Sequence, residues 1–249
     1  MISHIVFAYV FLILIAPILA YLVGSFNFSL VFSLWWKNKD VRKFNSQNAG
    51  ATNMSRVFGK KMGILVFLFD AIKPMVVIAL AYCVLRYGLH DAQVNPWNDF
   101  HLNILLHFSG LVCMIGHIYP LYFNFRGGKG VSTYFGWLLI MNPIVAVLYF
   151  IIFYIVARVK KYVSLAAMVS TGITSLLIIV PGINYTPLYN ECFVSYFADL
   201  HLIMINVSYL LLFSVPAACL LIICHKSNII RLRLGIEKTN RFMIFKKFI

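Results

Sequence analysis

The sequence predicts an all-α integral membrane protein, one polytopic membrane domain over residues 1–249, and three observations predict it. Of its 249 residues 62% are hydrophobic and only 11% charged, far from the balance of a soluble domain. The apolar residues gather into runs near 4–23, 62–86, 102–122, 132–157, 163–181 and 202–224, about the 20 residues that a membrane helix requires. The net charge of +14 sits between and after these runs, as in the cytoplasmic loops of membrane proteins, and so points to a bilayer and not to nucleic acid.

The first run has no Lys or Arg before it and no small-x-small cleavage site after it, so it is expected to be a retained helix and not a signal peptide. Residues 37–61 follow with Lys37, Lys39, Arg42, Lys43, Arg56, Lys60 and Lys61, and the tail after 224 carries Lys226, Arg231, Arg233, Lys238, Arg241, Lys246 and Lys247. Both are expected inside. The connections near 87–101 and 182–201 hold Asp91, Asp99, Glu191 and Asp199 but no Lys or Arg, and are expected outside. The amino terminus is then outside and the carboxyl terminus cytoplasmic.

The run 132–157 raises a conflict, because Arg126 and Lys129 before it and Arg158, Lys160 and Lys161 after it are both inside signals. Asn142-Pro143 near its middle favours a break, and two short helices returning to the same side satisfy both clusters. That arrangement has about seven membrane helices. One long helix kinked at Pro143 is the other arrangement. Cys83, Cys113, Cys192, Cys219 and Cys224 lie in or beside apolar runs without C-x-x-C spacing, so they are expected to pack and not to form disulfides or hold a metal.

The polar residues fall into a few constellations. Phe123–Thr133 reads FNFRGGKGVST; it is no nucleotide-binding P-loop, since Phe123 stands where that motif needs glycine and Gly130 where it needs Ser or Thr. Its glycines permit close backbone turns, and Lys129 adds a fixed cation that suits a phosphate; a plain cytoplasmic loop is the competing reading. Asp40–Lys61 crowds Ser46, Asn48, Thr52, Asn53, Ser55, Arg56, Lys60 and Lys61 around Gly50 and Ala51, a second set of small donors beside cations. Asp70 and Lys73 share a helical face inside an apolar run, where charges need partners, so a mutual structural pair is expected. His117 closes a helix in GHIYP, and His225, Asn228 and Arg231 recur at i, i+3, i+6 after the last run. Either histidine suits an interface anchor as well as a catalytic role. No G-x-S-x-G, H-E-x-x-H or H-x-x-x-x-D occurs.

Taken in order these motifs resemble the bacterial membrane acyl-phosphate:glycerol-3-phosphate acyltransferase family, of the PlsY type. The likeness runs through Gly24-Ser25, Asn27-Phe28, Asp40-Val41-Arg42, Ser46, Asn48, Gly50-Ala51-Thr52-Asn53, Arg56, Gly59-Lys60-Lys61, Asp70 and Lys73. It continues in GHIYPLYFNFRGGKGVST, KKYVSLA, and His225, Asn228, Ile229, Arg231, Leu232 and Gly235. Asn45 and Gln47 stand where the family has glycines, Pro74 replaces a glycine, and Ala167 replaces a serine.

The resemblance implies transfer of an acyl group from acyl phosphate to the 1-hydroxyl of glycerol 3-phosphate at the cytoplasmic face of the plasma membrane, without metal or cofactor. On it, Ser46, Arg56, Lys129, His225 and Asn228 are the expected catalytic residues. Asn48, Gly50, Thr52, Asn53, Lys60, His117, Gly127, Gly128, Gly130 and Ser164 are the expected substrate contacts, with Asp70 and Lys73 in support. A transporter of organic phosphate or other anions is the rival reading, but it calls for polar groups through the outer half of the membrane, where the sequence has few. A scaffold without activity leaves the gathered Ser, Thr and Asn residues unexplained.

Overall fold

The structure is a computed structural model that describes residues 6, 7, 9–88, 100–177 and 210–239. Asp91, Asp99, Glu191, Asp199, Cys192, Arg241, Lys246 and Lys247 lie outside the described residues, so the expected outward loops and the end of the basic tail do too. Among the described residues the only regular secondary structure is helical. They form two compact units, one up to Asn142 and one from Pro143.

In the first unit α1 (Ala16–Ser25) follows a wider π turn, Phe11–Ile15, and carries Pro17 in its first turn, where no backbone N–H is missed. The helix stops at Phe26, and Asn27 restarts it: its side-chain oxygen accepts from the Leu30 N–H at 3.2 Å and caps α2 (Phe28–Val31). A π segment, Phe32–Trp36, then ends at exposed Trp35 and Trp36, with the Lys37 ammonium 4.9 Å from the Trp36 ring centre. The apolar stretch therefore runs over Phe11–Trp36 instead of ending near 23. The polar interruption at 24–27 hides this in the sequence, because only the Asn27 cap lets the helix resume.

The helices α3 (Ala51–Phe58) and α4 (Lys60–Gly88) are separated by Gly59 at φ 93°, and α5 (Phe100–Ile118) and α6 (Val131–Met141) complete the unit. Close approach binds α1 to α5. A Cβ on Gly24 would overlap the Cys113 carbonyl, and one on Gly116 the Tyr21 carbonyl, so these glycines bring the helices together as small residues do in membranes. Under the polar loops lies an apolar cluster of Leu30, Val41, Ala49, Met54, Val66 and Phe123, which ties loop residues to α2, α3 and α4.

The break expected at Asn142-Pro143 is present: α6 ends at Met141, Asn142 turns to φ −150°, ψ 88°, and α7 (Pro143–Lys160) begins on the proline. Proline lacks the N–H that would continue α6. The second unit adds α8 (Val163–Leu177), a π segment Leu210–Ser214, α9 (Val215–Cys224) and α10 (Lys226–Arg233), the last two meeting at a 57° bend around His225. Ser170 and Thr174 return their hydroxyls to carbonyls four residues back, and Ser214 bonds the Ser175 carbonyl, so these three hydroxyls are used in packing.

Among the described residues Phe11–Trp36, Lys60–Val84, Leu105–Phe123 and Pro143–Lys160 are long and apolar enough to cross a bilayer. The bent pair Leu212–Cys224 and Lys226–Arg233 gives a fifth, and Val131–Ile140 and Val163–Leu177 are shorter apolar helices. Among the described residues Cys83, Cys113, Cys219 and Cys224 form no disulfide.

Candidate functional site

Ser46 and Asn48 sit on a loop shaped from within by Asn53. The buried Asn53 amide donates to the carbonyls of Val41 (2.9 Å), Phe44 (3.1 Å) and Asn48 (3.0 Å), and its oxygen accepts from the Ser46 N–H at 3.3 Å. Asn53, expected among the substrate contacts, has its polar atoms engaged in holding the loop. On either side of Ser46 the chain enters the left-handed region, φ 50° at Asn45 and φ 55° at Gln47. Glycine is at ease there and asparagine tolerates it, so the two departures from the family pattern keep the backbone path, at about 1 kcal/mol for Gln47.

Arg42 fastens this loop to the glycine loop. Its guanidinium pairs with Asp40, donating to both carboxylate oxygens at 2.9–3.2 Å, and gives hydrogen bonds to the carbonyls of Phe123 (3.0 Å) and Arg126 (3.1 Å). Burial alone would raise the Asp40 carboxyl, but the hydrogen bonds and charge of Arg42 outweigh it and hold Asp40 below the usual carboxylate range. A polar cavity of about 630 Å³ lies here, lined by Asp40, Arg42, Lys43, Gln47, Asn124, Arg126 and Gly127.

In the glycine loop the N–H groups of Gly127 and Gly128 donate to the carbonyls of Ile118 (3.0 Å) and His117 (3.1 Å), so the loop caps the end of α5. Those two amides are engaged by α5. Gly128 is buried, and a Cβ there would overlap His117 Nε2 and come within 2.8 Å of the Ala49 carbonyl. The two loops and His117 meet at this glycine. Half-buried Lys129 follows, then Gly130 at φ 81°, the cap from which α6 starts. The first N–H groups of α6 lack intrahelical partners, so the stretch after Gly128 combines a cation with a helix start. Gly50 caps α3, Thr52 is half-buried in its first turn, Arg56 lies in its last turn, and Lys60 is exposed at the start of α4.

Beneath the loops Asp70 and Lys73 form the expected pair, with Lys73 Nζ 3.0 Å from Asp70 Oδ1 and both buried. Lys73 also donates to the carbonyls of Gly24 (3.1 Å) and Phe26 (3.5 Å), and His117 Nδ1 lies 3.1 Å from it. Lys73 is the one charged residue lining an apolar groove of about 410 Å³ formed by Leu22, Val23, Phe26, Phe28, Phe69, Ile72, Val76 and Tyr122.

The second unit gathers Ser164 and Asn228 on one carboxylate. Glu237 Oε1 accepts from Ser164 Oγ (2.9 Å) and Asn228 Nδ2 (2.7 Å), and Oε2 from Arg231 Nε (2.7 Å). Gly235 at φ 69° turns the chain back after α10, with the Ile236 N–H on the Arg231 carbonyl, and so returns Glu237 to its partners. Burial works to raise Glu237, but its hydrogen bonds from Arg231, Asn228 and Ser164 prevail and lower it. Glu237 is missing from the sequence-based list of site residues. Its signal was there: it is the sole acid after residue 199. Buried His225, at the bend, has Nδ1 2.8 Å from the Leu221 carbonyl, which assigns the proton to Nδ1 and leaves Nε2 as the acceptor of the neutral ring.

A family model described as glycerol-3-phosphate acyltransferase matches residues 14–235. A glycerol-3-phosphate acyltransferase of Ureaplasma parvum serovar 3 is 45% identical over 227 residues, 91% of this chain and 88% of the relative. Two crystal structures of PlsY (YgiH), an integral membrane glycerol 3-phosphate acyltransferase, are similar. The glycerol 3-phosphate form has a TM-score of 0.69 at 32% identity, and the lysophosphatidic acid form 0.67 at 31%, each match covering 91% of this chain and 94% of the other.

Proposed function

Since the chain belongs to the glycerol-3-phosphate acyltransferase family, whose members are integral membrane enzymes of phospholipid synthesis, we propose that its acyl donor is acyl phosphate and its acceptor the 1-hydroxyl of glycerol 3-phosphate. The products are lysophosphatidic acid and phosphate. The observation that carries this reading is the fastening of two cation-bearing loops to one another, by Arg42 and at Gly128, beside an apolar groove. Both substrates carry phosphate and one carries an acyl chain. Such a surface offers donors for the phosphates and a groove for the chain.

In the step proposed, the hydroxyl oxygen attacks the acyl carbon, the bond from that carbon to the phosphate oxygen breaks, and the hydroxyl proton ends on a phosphate oxygen. Lys129 and Arg56 stabilise the charge of the departing phosphate, and Ser46 and Asn48 orient the reactants. His225 and Asn228 address the hydroxyl. The base is a phosphate oxygen of glycerol 3-phosphate, with His225 as orienting group.

Purified protein given labelled glycerol 3-phosphate is expected to form lysophosphatidic acid with acyl phosphate and none with acyl-CoA. Turnover with acyl-CoA alone would overturn the donor assignment.

We propose further that the site faces the cytoplasm at the plasma membrane and that the chain reverses at Asn142-Pro143. Single cysteines at positions 129 and 161 are then expected to react from the same, cytoplasmic, side of sealed vesicles. Reaction from opposite sides would replace the hairpin by one kinked span.

A further inference from the structure

Lys73 carries three N–H donors and no acceptor. They are directed at the Gly24 carbonyl, the Phe26 carbonyl and His117 Nδ1, at 3.1, 3.5 and 3.1 Å. Asp70, 3.0 Å away, acts on the ammonium through charge. Nδ1 must then accept, so the ring proton lies on Nε2; this tautomer is assigned from the distances. The alternative, Nδ1–H donating to Asp70 Oδ1, has a longer separation of 3.5 Å and sets an N–H against the ammonium.

His117 Nε2 is the atom against which Gly128 packs, and the Ala49 carbonyl lies against the same glycine. Ala49 ends the loop that carries Ser46 and Asn48, while Gly128 precedes Lys129. The other connections of Lys73 lead to the same place. It holds the carbonyls at the interruption of the first span, and Asn27 of that interruption donates to the Ala49 carbonyl at 3.4 Å. Both loops therefore hang from one buried ammonium, one through the imidazole and the other through residues 24–27.

We infer that the Asp70–Lys73–His117 cluster is a positioning device for catalysis: it holds His117 with Nε2–H toward Gly128 and so sets the separation of the two phosphate-binding loops. The inference rests on the reading that these loops hold the substrate phosphates. Asp70 sets a carboxylate beside the Lys73 ammonium in an apolar unit, and Lys73 in turn fixes the orientation and tautomer of His117. His117 transmits both to the loop. None of the three needs to touch substrate.

Two substitutions of His117 separate positioning from plain packing. His117→Asn keeps a polar group near the Nδ1 position for Lys73 but places nothing at Nε2, whereas His117→Gln brings an amide N–H to the Nε2 position. The KM for glycerol 3-phosphate is expected to rise about tenfold in His117→Asn, with a smaller change in kcat, and to return most of the way in His117→Gln. Thermal unfolding of the two variants is expected to coincide. A third protein, Asp70→Asn with Lys73→Met, removes both charges together and so leaves no unpaired ion; it should show the KM rise of His117→Asn.

Equal KM values for the Asn and Gln variants, or a wild-type KM in the double variant, overturn the inference. Loss of folded protein in both His117→Asn and the double variant also overturns it, in favour of a purely structural role. Binding of labelled glycerol 3-phosphate to the wild type is measured in parallel. A wild type that neither binds nor acylates it brings down the functional reading and this inference together, whereas an active wild type with unchanged variants brings down the inference alone.

Discussion

Lys129→Ala and Arg56→Ala are each expected to lower kcat/KM for glycerol 3-phosphate by about 10²–10³-fold, the loss found when a preorganised donor to a developing anion is removed. Lys129 has no freedom to be replaced by a neighbour. It follows Gly128, which is locked against His117 and Ala49, and precedes Gly130, whose positive φ starts α6, so its Cα is fixed on both sides. Arg56 lies one helical turn beyond Asn53, on the same face of α3, and Asn53 is the residue that shapes the Ser46 loop. Each side chain is a half-buried cation on a short, tethered element. Lys129→Arg should recover only part of the loss, because a planar guanidinium does not reproduce a compact ammonium. Kinetics of the purified variants, with thermal unfolding as the control for folding, check this. Full activity in both alanine variants would sink the assignment of a phosphate site to these loops.

The parts of this protein that were legible in the sequence are those whose causes are local. The long apolar helix Lys60–Gly88 and the stop at Asn142-Pro143 follow from hydropathy and from a missing N–H, and the structure places both near their expected positions. The Asp70–Lys73 pair follows from i, i+3 spacing. The first span extends beyond its expected end near 23 because its continuation past Ser25 depends on a side-chain cap, which a hydropathy window cannot register.

The rest depends on contacts between residues far apart in the chain. His117 lies 44 residues from Lys73, and Arg42 81 residues from the Phe123 carbonyl that it binds. Glu237 reaches Ser164 across 73 residues, through a turn that Gly235 makes possible. Asn53 is legible as a donor but its direction is not, because an amide that binds phosphate and one that binds three loop carbonyls look alike as letters. Asn45 and Gln47 show the converse. As substitutions for glycine they threaten the loop, yet the backbone takes the left-handed conformations that glycine would have chosen.

His225→Ala is expected to reduce turnover by about 10²-fold, while His225→Gln stays within about tenfold of wild type, and the contrast between them identifies the base. The bond from Nδ1–H to the Leu221 carbonyl orients the ring and leaves Nε2 as an acceptor. An acceptor there can hold the substrate hydroxyl in either of two ways, as the base that removes its proton or as a group that only aligns it. The Gln side chain can place a carbonyl oxygen at the same point. That oxygen accepts a hydrogen bond as the imidazole does but cannot take a proton near neutral pH. If a phosphate oxygen of glycerol 3-phosphate is the base, the pH–rate profile of His225→Gln keeps the limb due to ionisation of that phosphate, near pH 6. If His225 is the base, Gln and Ala are equally inactive and that limb disappears with the imidazole. Rates for both variants across pH, at saturating glycerol 3-phosphate, decide between the two, and equal inactivity would defeat the substrate-assisted step.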